Sequence, residues 1–409
     1  MDIKNTIIAD PWIDPSIENS DMNSKRWKAN YSKFKSQLYW NIIFEDLSYI
    51  QDSFFLFNRQ FECFLNDTKE YSEILWSGDN PVFSCAKRNR EKKMGLMDIY
   101  NKEVLNNKNF IWYWDGIPSD GYIEKITNLI DRNAKNTHYG TENFYESLKK
   151  KIELSFEPSA MAYQAYASHV PNYLKIINSK KEEIKEILEN KYFSRSSVYR
   201  MLKIGLNKED TFSDKSPIIN NLPLDIIRRV VDDAYRHNIS QYLDCPGYFP
   251  NQTLAPDWFN ETNLVKPINN LYDPSDLAEF NNEVNSKLAN KVFEIPHFEF
   301  HNISELPIDK IWRIRKYAED YRNMIKLIML NISHGQPPYP EKILELAISF
   351  HKTLLHLVEE FYVLKCIKPK KRKVLKFTLE LIKSNVKNRI GGYIPEELSF
   401  FNLQFKFKN

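Results

Sequence analysis

The sequence predicts a predominantly α-helical α+β protein, with a helical-bundle core and a small antiparallel sheet. Three observations lead there. Apolar residues recur at alternating spacings of four and three along several long stretches. Period-two alternation is confined to residues 292–301 and 400–407. Glycine occurs only 10 times in 409 residues, too rarely for tightly turned barrels or glycine-rich phosphate loops.

In chain order, the first stripe is Ile43, Leu47, Ile50, Phe54, Phe57, Phe61 and Phe64, which predicts one long helix with a wide apolar face. The segment Tyr173 to Asn190 carries Leu174, Ile177, Ile184, Ile187 and Leu188 at helical spacing. Leu224 to Leu243 does the same with Ile226, Ile227, Val230, Val231 and Ala234. From Pro307 to Ile332, the residues Ile308, Ile311, Ala318, Tyr321, Ile325 and Ile328 mark another helix, with Asp309 well placed at the positive end of its dipole. Ile343, Ala347, Phe350, Leu354, Leu357, Phe361 and Leu364 repeat the spacing of the first stripe, and Pro340 suits a first turn. Beyond Lys373, Leu375, Leu379, Ile382 and Val386 predict an amphipathic helix closing at Gly391 and Gly392. Strands are expected at 292–295 and 297–301, where Pro296 restricts them to an edge, and at 400–407.

These elements divide into an N-terminal α-rich domain over residues 1–206, a polar linker over 207–223 and a C-terminal α-rich domain over 224–409. Within the last, residues 245–272 hold four prolines without helical period and form a long loop suited to covering a site. Cys63, Cys85, Cys245 and Cys366 are widely separated, which fits reduced thiols and a cytoplasmic location. The N-terminal residues lack the apolar core of a secretory signal. No apolar run approaches the roughly 20 residues needed to cross a bilayer, so no membrane partner is expected.

The net charge of +3 hides an asymmetry. Residues 365–389 hold ten basic side chains and one acid, whereas the rest of the chain has 47 basic against 53 acidic residues. Lys368, Lys370, Lys371, Arg372, Lys373 and Lys376 form the densest part. Clustered Lys and Arg neutralise phosphates and release counterions, so these six are the candidate nucleic-acid contacts.

The sharpest candidate for chemistry is His297, Glu299 and His301. On a strand, residues two apart project from one face, so two imidazoles would flank a carboxylate, a set able to hold a divalent metal ion or move protons. Two helical pairs, Asp233 with His237 and His356 with Glu360, are spaced for a carboxylate to orient an imidazole. The chain contains no G-x-x-x-x-G-K-[ST], G-x-G-x-x-G, G-x-S-x-G or H-E-x-x-H motif, which disfavours P-loop, Rossmann dehydrogenase, α/β-hydrolase and zincin chemistry. The sequence therefore points first to a cofactor-free interaction protein that contacts nucleic acid or a protein through its C-terminal basic patch. Its Asn-, Lys- and Ile-rich composition suggests a mobile-element or phage-defence component. The competing reading is a metal-dependent hydrolase or nuclease built on residues 297–301.

Overall fold

The computed structural model describes residues 6–9, 22–52, 55, 59–88, 97–98, 120–137, 142–160, 163, 167, 172–189, parts of 230–248, 300–333, 340–368, 376–378 and 404–406. Among them, helix predominates. The principal sheet is parallel, which corrects the antiparallel expectation. Its strands are β1 (Thr6–Ala9), β2 (Leu47–Gln51), β3 (Phe83–Arg88), β4 (Lys135–Thr137) and β5 (Gly247–Tyr248), in spatial order β4-β3-β2-β1-β5. Parallel neighbours need long crossovers, and here they are helical. Helix α1 (Lys25–Phe44) joins β1 to β2, α2 (Arg59–Asp67) leads from β2 towards β3, and α3 (Asp120–Ile130) precedes β4. Then α4 (Glu142–Phe156), α5 (Tyr173–Ser179) and α6 (Lys181–Glu189) lie on the path to β5, which returns to the far side of β1. Three helices follow, α7 (Ile308–Tyr317), α8 (Glu319–Ser333) and α9 (Pro340–Lys365), and a separate antiparallel pair, β6 (Lys376–Thr378) and β7 (Gln404–Lys406).

The predicted helix over 43–64 does not form. Its stripe crosses three elements: the end of α1, the strand β2 and the helix α2. Glu45 leaves α1 in an extended conformation (φ −113°, ψ 146°), and the chain enters the sheet. A buried parallel strand is apolar enough to imitate part of a helical stripe, and the spacing alone does not distinguish the two. Helix α1 itself escapes a periodicity search because its buried face, Trp27, Asn30, Phe34, Leu38 and Asn41, includes two asparagines. It starts where Ser24 accepts a hydrogen bond from the Trp27 amide at 3.1 Å, an N-cap.

Elsewhere the stripes hold. Ile308, Ile311, Ala318, Tyr321, Ile325 and Ile328 are all buried, although the helix breaks into α7 and α8 at Ala318. Phe350, Leu354 and Leu357 of α9 are buried as well. The helix predicted at Tyr173 to Asn190 is present as α5 and α6, interrupted at Lys180. The amphipathic helix expected beyond Lys373 is not formed at 376–378, which are strand; the remainder of that prediction, the strand at 292–295, and the linker over 207–223 lie outside the described residues.

One hydrophobic cluster joins segments far apart in the chain: Phe34, Tyr39 and Phe44 of α1, Phe61 and Phe64 of α2, Ile50 and Phe83 of the sheet, and Ile311, Tyr321, Phe350 and Leu357 of α7 to α9. Aromatic edges hold it together, with Phe44 against Tyr321 at 5.0 Å between ring centres and Trp76 stacked on Phe83 at 4.7 Å. A polar clamp fixes the same junction. The guanidinium of Arg315 donates to the carbonyls of Ile42 and Glu45, and that of Arg322 to the carbonyl of Ile43 at 2.7 Å. These are the carbonyls a helix leaves unsatisfied at its C-terminus, where its dipole favours cations. Burial, helped by neighbouring Arg322, draws the Arg315 guanidinium down to about 10, so it remains charged at neutral pH. Asp46 completes the clamp, pairing with Arg322 at 3.2 Å and Lys326 at 2.8 Å.

Candidate functional site

Helix α9 carries the chain out of this core, and its last two turns show two different sides. Phe361 and Tyr362 pack against the core, and Lys365 forms an ion pair with Glu305. Elsewhere on this end Val363 is 68% exposed, Leu364 42% and, just past the helix, Ile367 51%, so the apolar stripe of α9, whose last residue is Leu364, outlasts the core that it packs against. The helix ends in a Schellman turn. The Ile367 amide donates to the Tyr362 carbonyl and the Cys366 amide to the Val363 carbonyl, each at 3.2 Å. Cys366 takes the left-handed conformation this turn requires, with φ 51°. Lys368 follows, exposed, at the start of the basic segment.

Of the predicted polyanion contacts, Lys368 is thus at the surface beyond α9. Lys376 lies in β6, whose register sets it opposite Lys406. Lys370, Lys371, Arg372 and Lys373 lie outside the described residues, as do His297, Glu299, Asp233, His237 and nearly all of the 245–272 loop. His301 belongs to a 3-10 helix over Phe300–Glu305 and not to a strand, so the two-residue repeat does not extend to it. Among the described residues, no group of three or more His, Cys, Asp or Glu is placed to hold a metal ion. His356 faces Glu359 at 3.4 Å, whereas Glu360 instead pairs with Lys310 at 3.1 Å and Arg313 at 2.7 Å. That acid ties α9 to α7.

The parallel sheet introduces a feature the sequence did not announce. In open sheets of this class, ligands settle outside the carboxyl ends of the strands where the strand order reverses, here between β1 and β5. Beside that point Gln51 ends β2 and Asp52 follows it. Gln51 accepts a hydrogen bond from the Tyr235 hydroxyl at 3.2 Å, and both Gln51 and Asp52 are buried. The first glycine of the chain is Gly78, so the passage from β1 to α1 contains none of the glycines that let a backbone close around a diphosphate. The only sequence signal for this edge is a short apolar run, Ile7 and Ile8, ahead of a helix.

The class defined by these observations is a helix-rich protein with an open parallel sheet and a cationic C-terminal segment. No family model matches the chain, and comparisons with curated proteins and with solved structures return no match either.

Proposed function

We propose that this chain is an interaction protein that docks onto a phosphate-bearing polyanion through residues 365–389. The single observation that carries the reading is the charge asymmetry: ten basic residues and one acid in that segment, on a body with more acids than bases. The exposed end of α9 supports it, because Lys368 is exposed there and is followed in the sequence by Lys370, Lys371, Arg372 and Lys373. Nucleic acid is the phosphate carrier the composition suggests, and a mobile-element or phage-defence role is proposed on composition alone.

The test is fluorescence polarisation with labelled single- and double-stranded DNA and RNA, and with inorganic polyphosphate, across a salt series. Full-length chain should bind, and the affinity should fall steeply as salt rises. Replacing Lys370, Lys371, Arg372 and Lys373 together by Glu removes four phosphate contacts, so the slope of log K against log salt should shrink by about 3 to 4 on duplex DNA. Equal binding and an equal slope in the variant would remove the segment from the interaction.

A further inference from the structure

We infer that the helices between β4 and β5 form a movable cap over the carboxyl edge of the parallel sheet, latched by the hydrogen bond from Tyr235 to Gln51. The inference is independent of the basic segment and starts from the path of the chain. β4 and β5 follow one another in sequence but form opposite edges of the sheet, so the chain between them has to cross it. α4 to α6 and the described helical residues from Val230 to Leu243 lie on that crossing.

These helices have packing of their own. Val230, Ala234, Asn238 and Tyr242, and beside them Val231, Tyr235, Ile239 and Leu243, recur every four positions and so share one helix face. That face closes on α4. Phe144 meets Tyr242 edge-on at 5.2 Å between ring centres and Tyr235 at 5.8 Å. The buried Asn238 side chain donates to the Phe144 carbonyl and accepts from the Ser147 hydroxyl, both at 2.8 Å. Tyr173 of α5 joins the same body by donating to the Ser155 carbonyl at 3.0 Å. Phe144, Leu148, Ile152, Val230, Ala234 and Leu243 are buried, yet they lie outside the cluster shared by the sheet, α1 and α7 to α9. Two bodies with separate cores can shift against one another without either losing its packing.

Tyr235 belongs to both bodies. Its ring rests on Phe144, while its hydroxyl donates to the Gln51 side-chain oxygen at 3.2 Å. Beneath it, Gln51 is 4% exposed and Asp52 0%, an amide and a carboxylate shut from water beside the reversal of strand order where open parallel sheets receive ligands. A neutral hydrogen bond of this kind is worth little net of its exchange with water, which suits a latch that opens. With the cap displaced, the Gln51 oxygen is free to accept from a ligand, so a small molecule carrying hydroxyl or amide donors competes with Tyr235 for it.

Hydrogen exchange and carbodiimide labelling of carboxyl groups, both read by mass spectrometry on the full-length chain, test this. In the wild type Asp52 should label slowly beside the exposed Glu70. Tyr235→Phe removes only the hydroxyl. It should speed labelling of Asp52 and exchange at the carboxyl end of β2 by roughly two- to tenfold, the opening gained by losing one neutral hydrogen bond. Amides of α4 around Leu148 and of α8 around Ile325 should exchange as in the wild type. Gln51→Met, which removes the acceptor, should give the same increase, and the double variant no more than either single change. Three results would each overturn the cap. Asp52 labelling unchanged in both single variants would mean that the bond holds nothing shut. Increases that add in the double variant would uncouple the two residues. Faster exchange throughout α4 would mean that the helices unfold instead of moving as a body.

Discussion

Replacing Arg322 by Ala should cost the protein about 4 kcal/mol. Arg322 is 8% exposed; its guanidinium donates to the Ile43 carbonyl at 2.7 Å and the Arg315 carbonyl at 2.8 Å and pairs with Asp46 at 3.2 Å. Hydrogen bonds to a charged donor are worth about 1.5 to 3 kcal/mol each, and the two carbonyls stay in the interior when their donor is gone. Losing the pair with Asp46 adds less, because Lys326 still holds that carboxylate at 2.8 Å. Arg322→Lys should recover less than half of the loss, since an ammonium is a point charge and cannot span three acceptors in a plane. Urea unfolding followed by fluorescence of the core residues Trp40 and Trp76 would measure both, with the m-value compared to ensure that the same surface unfolds. A loss below about 1 kcal/mol for Arg322→Ala would refute the view that this arginine joins α8 to the end of α1.

Cys366→Gly should stabilise the end of α9 by about 1 kcal/mol, because a left-handed residue with a side chain is strained where glycine is not; the measurement is protection of the Ile367 amide from hydrogen exchange. Ser48→Ala should be neutral or raise stability by up to about 1 kcal/mol in urea unfolding, since the buried Ser48 hydroxyl has no hydrogen-bond partner among the described residues. Alkaline titration should show Tyr39 and Tyr173 resisting ionisation. Burial raises both, with Asp67 adding to the effect on Tyr39 and Tyr163 on Tyr173. A phenol held protonated only in the folded chain contributes stability in full below its ordinary value of 10.0, and that stability is lost as pH rises above it, so unfolding should set in on the alkaline side of 10. Phenolate absorbance that rises in one step without unfolding would contradict this.

Helices whose apolar residues fall on a clean stripe, at 308–333 and 340–365, are legible in the sequence because the same side chains that set the period are the ones the core buries. The sheet is not. Its strands are two to six residues long and are read through helices on either side, so Leu47 and Ile50 pass for helical positions. Asn30 and Asn41 hide α1 by placing polar groups on its buried face. At the candidate site, the basic segment is plain from charge counting. The exposure of Leu364 is not, because Leu364 continues the α9 stripe in sequence and only the shape of the core leaves it outside. The spacing of His297, Glu299 and His301 presupposes a strand, and at His301 the backbone takes tighter turns.

The shared cluster of α1 and α7 to α9 has a consequence for the making of the chain. The carbonyls of Ile42 and Ile43 wait for arginines 273 and 279 residues downstream. At about 5 to 20 residues per second, ribosomes leave an interval of roughly 15 to 55 seconds during which Phe34, Tyr39, Trp40 and Phe44 have emerged and the helices that cover them have not. Nascent chains of this protein should therefore carry a sticky aromatic surface throughout most of their synthesis. They would depend on holding chaperones until the final hundred residues close the core over it.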